Sequence, residues 1–111
     1  SADEAKGLVG RPDVLFLDVR EPAEVATSGK VPGALAIPRG LVEFRADPGS
    51  ALHDAAFDRA KTVVAYCACP DDHSALYVAA KLMRVGVKDI RVLTGGWNGW
   101  KAGGGKVEVT P

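Results

Sequence analysis

The sequence predicts an α/β fold: a small three-layer domain with a mainly parallel central sheet flanked by helices. Three observations carry this expectation. The runs Val14-Leu15-Phe16-Leu17 and Val63-Val64-Ala65-Tyr66 are continuously apolar and lack the alternation of a sheet with one wet face. A third run, Ile90-Arg91-Val92-Leu93, is nearly as apolar, and strands of this kind belong in parallel sheets covered on both sides. Between the second and third runs, Leu76, Ala79, Ala80 and Met83 recur at helical spacing. Lys81 and Arg84 fall near the end of that stretch and Gly86 stops it, which completes a strand, helix, strand unit.

The other elements follow in order. Pro12 and Asp13 introduce the first strand, and the acid-rich, proline-containing segment Glu21 to Ala26 predicts a short helix ended by Gly29. Ala34 to Ile37, set between Pro32-Gly33 and Pro38, suits a short strand entered and left through turns. Leu41 to Arg45 predicts a helix, Asp47-Pro48-Gly49-Ser50 a loop, and His53 to Ala60 one or two helical turns. After the tight turn at Gly95-Gly96, Trp97, Trp100 and Lys101 fit a short helix that ends in Gly103-Gly104-Gly105, and Lys106 to Val109 reads as a last, edge strand.

Residues 1–111 read as one domain, because a chain of this length buries roughly 60 to 70% of its unfolded surface. The helical pattern that opens at Ser1-Ala2 is what a piece excised from a larger protein would show. Apolar content of 47% and charged content of 25% are those of a globular domain rather than a disordered chain. The 14 basic residues balance 14 acidic ones without a block of either sign, so neither nucleic acid nor an anionic membrane is an expected partner. The longest apolar runs fall far short of the ~20 residues a spanning helix needs, and no signal peptide is visible. Cys67 and Cys69, one residue apart, are too close to staple distant parts of a fold and read as reactive thiols in a reducing compartment, the cytoplasm.

Cys67 ends a buried strand, and Cys67-Ala68-Cys69-Pro70-Asp71-Asp72-His73-Ser74 leads directly into a helix that begins near Ser74. Ligands of open α/β sheets bind at the carboxyl ends of strands. A thiol placed there faces the unpaired N–H groups of the following helix, which favour a nucleophilic thiolate and an oxyanion substrate alike. A cysteine is also a small residue readily packed in a core, so position alone leaves catalysis and packing both open.

Four segments in order widen the reading: Leu17-Asp18-Val19-Arg20-Glu21-Pro22 with Glu24; Gly29-Lys30-Val31-Pro32-Gly33-Ala34 with Ile37-Pro38; Val63-Val64-Ala65-Tyr66-Cys67; and Leu93-Thr94-Gly95-Gly96-Trp97 with Trp100 and Ala102-Gly103. In this set and spacing the chain resembles the rhodanese-like domains over almost its whole length. The resemblance implies a sulfurtransferase without a cofactor. Cys67 would attack a sulfane sulfur donor such as thiosulfate or a persulfide, hold the sulfur as a persulfide, and pass it to a thiol or other nucleophile, which a protein could carry. It further implies that the loop of Ala68, Cys69, Pro70, Asp71, Asp72, His73 and Ser74 cradles the substrate with its backbone N–H groups. Asp18 and Arg20 would hold loops together beside the site, with Glu24 as a partner of Arg20.

The loop departs from that pattern. Family members build it from six residues rich in Gly, Ser and Arg. Here the stretch from Cys67 to His73 has seven, contains Pro70, and sets Asp71 and Asp72 where glycine and cations would stand. Two carboxylates oppose anions and disfavour a thiolate, and either could cap the following helix. A catalytically weak interaction or regulatory module is therefore an alternative. Seven-residue loops also resemble those of arsenate reductases and dual-specificity phosphatases, but the position of their arginine is held by His73, which lacks a permanent forked cation and makes that chemistry disfavoured.

Cys69 has two open readings, a small packed residue and a resolving thiol for Cys67, the latter defining a thiol redox alternative. Two cysteines and one histidine fall short of a closed zinc site, so no metal is expected. Trp97 and Trp100 read as core or as pocket mouth, His53 as solvated, and Gly95-Gly96 as a turn rather than a phosphate loop.

Overall fold

In the computed structural model, which describes residues 2–68 and 70–109, the apolar runs pair in parallel as expected. The elements are α1 (Ala2–Lys6), β1 (Val14–Asp18), α2 (Pro22–Ser28), β2 (Leu35–Ala36), α3 (Val42–Ala46), α4 (Ala56–Arg59), β3 (Thr62–Tyr66), a 3₁₀ turn (Pro70–Asp72), α5 (His73–Arg84), β4 (Ile90–Val92) and α6 (Gly96–Ala102). Four parallel strands lie in the order β2-β1-β3-β4. With β1 and β3 central, the carboxyl ends of β1, β2 and β3 open on the same edge. That edge carries the site.

Strand alternation divides the core in two. Leu17, Val63, Ala65 and Cys67 face one side, where Val42 and Ala46 of α3 and Ala75, Val78 and Leu82 of α5 cover them. Phe16, Val64 and Tyr66 face the other, under Ala5 of α1 and Trp97 and Trp100 of α6. Tyr66 stacks on Trp97 with centroids 6.1 Å apart, and Phe16 meets Trp100 at 6.3 Å. The tryptophans are therefore core residues.

Two expectations about the elements are corrected. In α5 the buried stripe is Ala75, Val78 and Leu82, one position before the stripe read from the sequence, while Leu76 and Met83 are exposed. Both stripes have helical spacing, and the sheet accepts the one with the smaller residues at its start. Lys106 to Val109 does not join the sheet. It makes a single antiparallel bridge between Lys30 and Glu108, whose N–H groups donate to each other's carbonyls at 2.9 and 2.8 Å.

The buried charges of the core are Asp18 and Arg20. The Arg20 side chain donates to both Asp18 carboxylate oxygens, the shortest bond being 2.7 Å, and its backbone N–H donates to Oδ1 at 3.0 Å. The remaining guanidinium donors go to Ser28 Oγ at 2.8 Å and to the Gly29 carbonyl, and the plane lies 4.6 Å from the Trp97 ring. Burial works against this charge, yet the bonds to Asp18 and its field hold the Arg20 pKa above its ordinary value. The expected pair of Arg20 with Glu24 is corrected: the partner of Arg20 is Asp18, and Glu24 contributes only its field. Burial, followed by the Asp18 charge, pushes the Tyr66 phenol up; its oxygen accepts the Val31 N–H at 3.0 Å.

His53 is not simply solvated. Its Nε2 lies 2.9 Å from Asp58, and that bond raises its pKa.

Arg20→Met is expected to cost about 3 to 5 kcal/mol in urea unfolding, because it strands the Asp18 carboxylate. Adding Asp18→Leu should recover part of that loss, and a double variant no more stable than the single one would contradict the assignment. A raised folded pKa means that the His53 contribution is fully present below the unfolded value near 6.5 and is lost as pH rises through the folded value. The difference in melting temperature between wild type and His53→Gln should accordingly shrink from pH 6 to pH 9, and a pH-independent difference would contradict it.

Candidate functional site

Cys67 follows the last residue of β3 and is 2% exposed, its side chain on the face covered by α3 and α5. Its carbonyl accepts the Trp97 N–H at 2.8 Å, which ties the end of β3 to the start of α6. This approach requires Gly96: its φ is +56, and a Cβ there would sit 2.2 Å from the Cys67 oxygen. The Gly95-Gly96 pair thus acts as a turn, as read, and also as the seat of the cysteine.

A cleft of about 240 Å³ opens above Cys67, lined by Val19, Arg20, Glu21, Glu24, Arg39, Cys67, Ala68 and Ser74. It brings together Cys67, Ala68, Ser74, Arg20 and Glu24 from the residues singled out in the sequence, with Asp18 buried beneath through its bonds to Arg20. Asp71, Asp72 and His73 do not line it. Cys69 lies outside the described residues, and so does the question of its resolving role.

The acidic loop is arranged differently from expectation. Asp71 and Asp72 are both left-handed, with φ of 55 and 57, a region that Asp tolerates better than most residues. Asp72 stands at the N-cap position of α5 without capping it. Its carboxylate instead accepts the Gly95 N–H at 3.2 Å, so its charge is turned toward the β4–α6 turn. The first turn of α5, a helix of 12 residues, keeps its N–H groups and positive end near the cleft through Ser74.

Two cleft residues were missed in the sequence, Arg39 and Glu21. Arg39 follows β2 and Pro38, and its Nη1 donates to Ser74 Oγ at 3.2 Å. The rule that sites form at carboxyl strand ends, applied to β2 as well as β3, points to it. Glu21 and Glu24 cap the start of α2 reciprocally, the Glu24 carboxylate accepting the Glu21 N–H at 3.4 Å.

The expectation of reactive free thiols is not met at Cys67, whose sulfur is in a disulfide. Among the described residues there is no free cysteine, and no group of three His, Cys, Asp or Glu side chains placed to hold a metal ion. Among them, too, no helix is long and apolar enough to cross a membrane. A second groove of about 440 Å³ adjoins the cleft through Arg20, Glu24 and Ala68 and runs past Trp97 and Lys101.

A family model described as rhodanese-like domain matches residues 1–103. A solved protein of unknown function from Rhodopseudomonas palustris, described as a possible tyrosine phosphatase, is 35% identical, with a TM-score of 0.86 over 96% of this chain and 81% of its own. The rhodanese-like domain of a protein from Anabaena is 26% identical, with a TM-score of 0.75 over 98% of this chain and 76% of its own. A thiosulfate sulfurtransferase from Pseudomonas aeruginosa shares the fold at 22% identity and a TM-score of 0.76, covering 97% of this chain and 18% of that one. No functionally curated protein matches the chain significantly.

Gly96→Ala should destabilise the domain by about 3 kcal/mol or more, because a left-handed alanine is strained and its methyl meets the Cys67 carbonyl. Gly33, with φ +78 and open space around it, serves as the control. Gly33→Ala should cost only the backbone strain, roughly 1 kcal/mol, and equal losses in the two variants would contradict the close approach.

Proposed function

Because the chain belongs to the rhodanese-like domain family, we propose that it is a sulfurtransferase or persulfide carrier with Cys67 as the nucleophile. The observation that carries the reading is the position of Cys67: it directly follows the central parallel strand β3 and lines a polar cleft together with Ser74 of the first turn of α5. A sulfane donor enters the cleft as an anion, and the helix N-terminus favours both it and the thiolate.

The chemistry starts from reduced Cys67, which a small thiol releases from its disulfide by exchange. The thiolate attacks the outer sulfur of the donor. A sulfur–sulfur bond forms to Cys67 while the donor's own sulfur–sulfur bond breaks, and its electron pair leaves on sulfite when the donor is thiosulfate or on a thiolate when it is a persulfide. An acceptor thiolate then attacks the outer sulfur of the Cys67 persulfide, takes that sulfur, and returns Cys67 as thiolate. No step uses a cofactor. Amides between Ala68 and Ser74 are the groups proposed to face the outer sulfur, and the acceptor is a small or protein-borne thiol.

The disulfide at Cys67 favours a second reading, reversible thiol oxidation with Cys69 as the resolving thiol. Phosphate-ester chemistry, suggested for the Rhodopseudomonas relative, has less support here. His73 replaces the loop arginine, and Glu21 and Glu24 line the cleft.

Reduced protein treated with thiosulfate or an organic persulfide is expected to gain one sulfur atom on the Cys67 peptide by mass spectrometry, and Cys67→Ala should gain none. Absence of the adduct with both donors would overturn the proposal. For the redox reading, mild oxidation should make both thiols unavailable to alkylation; two thiols that still alkylate freely would remove it.

A further inference from the structure

The charges that line the cleft belong to Arg20, Arg39, Glu21 and Glu24. Arg20 is committed: its donors go to Asp18, Ser28 and the Gly29 carbonyl, and Asp18 balances its charge. A ligand above Cys67 therefore meets two carboxylates and one guanidinium, Arg39, that is in no ion pair among the described residues.

These charges come from different walls. Arg39 reaches in from the turn after β2 and is anchored on Ser74 Oγ at 3.2 Å, which places it beside the helix N-terminus where an anion is already favoured. Glu21 and Glu24 come from the first turn of α2 and are exposed. A compact dianion such as thiosulfate gains from Arg39 and loses to both carboxylates. A ligand that carries one carboxylate and one ammonium group near its transferable sulfur satisfies both walls at once.

Resting on the sulfur-transfer reading above, we propose that the donor or acceptor of this site is a zwitterionic amino-acid or short-peptide persulfide or thiol, its carboxylate read by Arg39 and its ammonium by Glu21 and Glu24. In the donor direction the Cys67 thiolate attacks the outer sulfur of the ligand persulfide. The sulfur passes to Cys67, and the ligand leaves as its thiolate with the electron pair of the broken bond. Arg39 takes over the part that a cation within the loop would play.

The test reads the field at Cys67 without needing turnover. Protein reduced with a phosphine is alkylated with iodoacetate, iodoacetamide and 2-bromoethylamine, which are anionic, neutral and cationic, and the rate at Cys67 is followed by peptide mass spectrometry. Arg39→Gln should lower the iodoacetate to iodoacetamide ratio by about fivefold, and Arg39→Lys should restore most of it. Glu21→Gln combined with Glu24→Gln should lower the 2-bromoethylamine to iodoacetamide ratio by a similar factor. A general disturbance of the fold changes all three rates together and leaves the ratios intact, so an unchanged ratio in either variant overturns the proposal. The result is independent of whether Cys67 accepts sulfur, which the persulfide adduct decides separately.

Discussion

The site depends on a carboxylate and a guanidinium buried two residues apart. Asp18 and Arg20 stand at the end of β1, where a strand buried on both faces must give way to a loop. Neither charge would be tolerated there alone, since an unpaired ion in an apolar interior costs several kcal/mol. Their geometry leaves little freedom: Arg20 reaches Asp18, the end of α2 through Ser28 and Gly29, and the face of Trp97 in α6. One side chain thus ties β1, α2 and α6 together, and the cleft over Cys67 lies between the end of β1, the start of α2, the turn after β2 and the first turn of α5.

A second tie holds the loop. Trp97 and Gly95, neighbours at the start of α6, engage the Cys67 carbonyl and the Asp72 carboxylate respectively. The stretch after β3 is therefore fastened at both ends to one turn. Its two successive left-handed aspartates follow from this constraint, because the chain must descend to Gly95 and then start α5 within a few residues. An acidic side chain that looks hostile to an anion in the sequence is a structural anchor in the fold.

How much was legible in the sequence follows from what each signal measures. The continuous apolar runs report burial on both faces, so the parallel sheet and its two covering layers could be read, as could the position of Cys67 at a strand end. The phase of α5 could not, since Ala75, Val78, Leu82 and Leu76, Ala80, Met83 are both helical stripes and only the sheet chooses between them. The Lys106 to Val109 segment has strand composition but meets only Lys30, and composition carries no information on pairing partners. Side-chain direction in the Asp71-Asp72 loop and the entry of Arg39 from another turn depend on tertiary contacts between residues more than twenty apart in the chain. The resemblance to a family supplied order and spacing, but it directed attention to the loop for a cation, whereas Arg39 enters the cleft from the turn after β2.

The segment after α6 alters where the working unit ends. The family match stops at residue 103, yet the Lys106 carbonyl accepts the Trp100 indole N–H at 2.8 Å, and Glu108 accepts the Gly33 N–H at 2.9 Å. Glu108 also bridges Lys30, the residue directly after the Gly29 carbonyl that receives Arg20. Those few residues act as a strap drawn across the seam between α2 and α6. A boundary drawn at the last matched position would cut the strap and loosen, from outside, the buried ion pair on which the cleft is built.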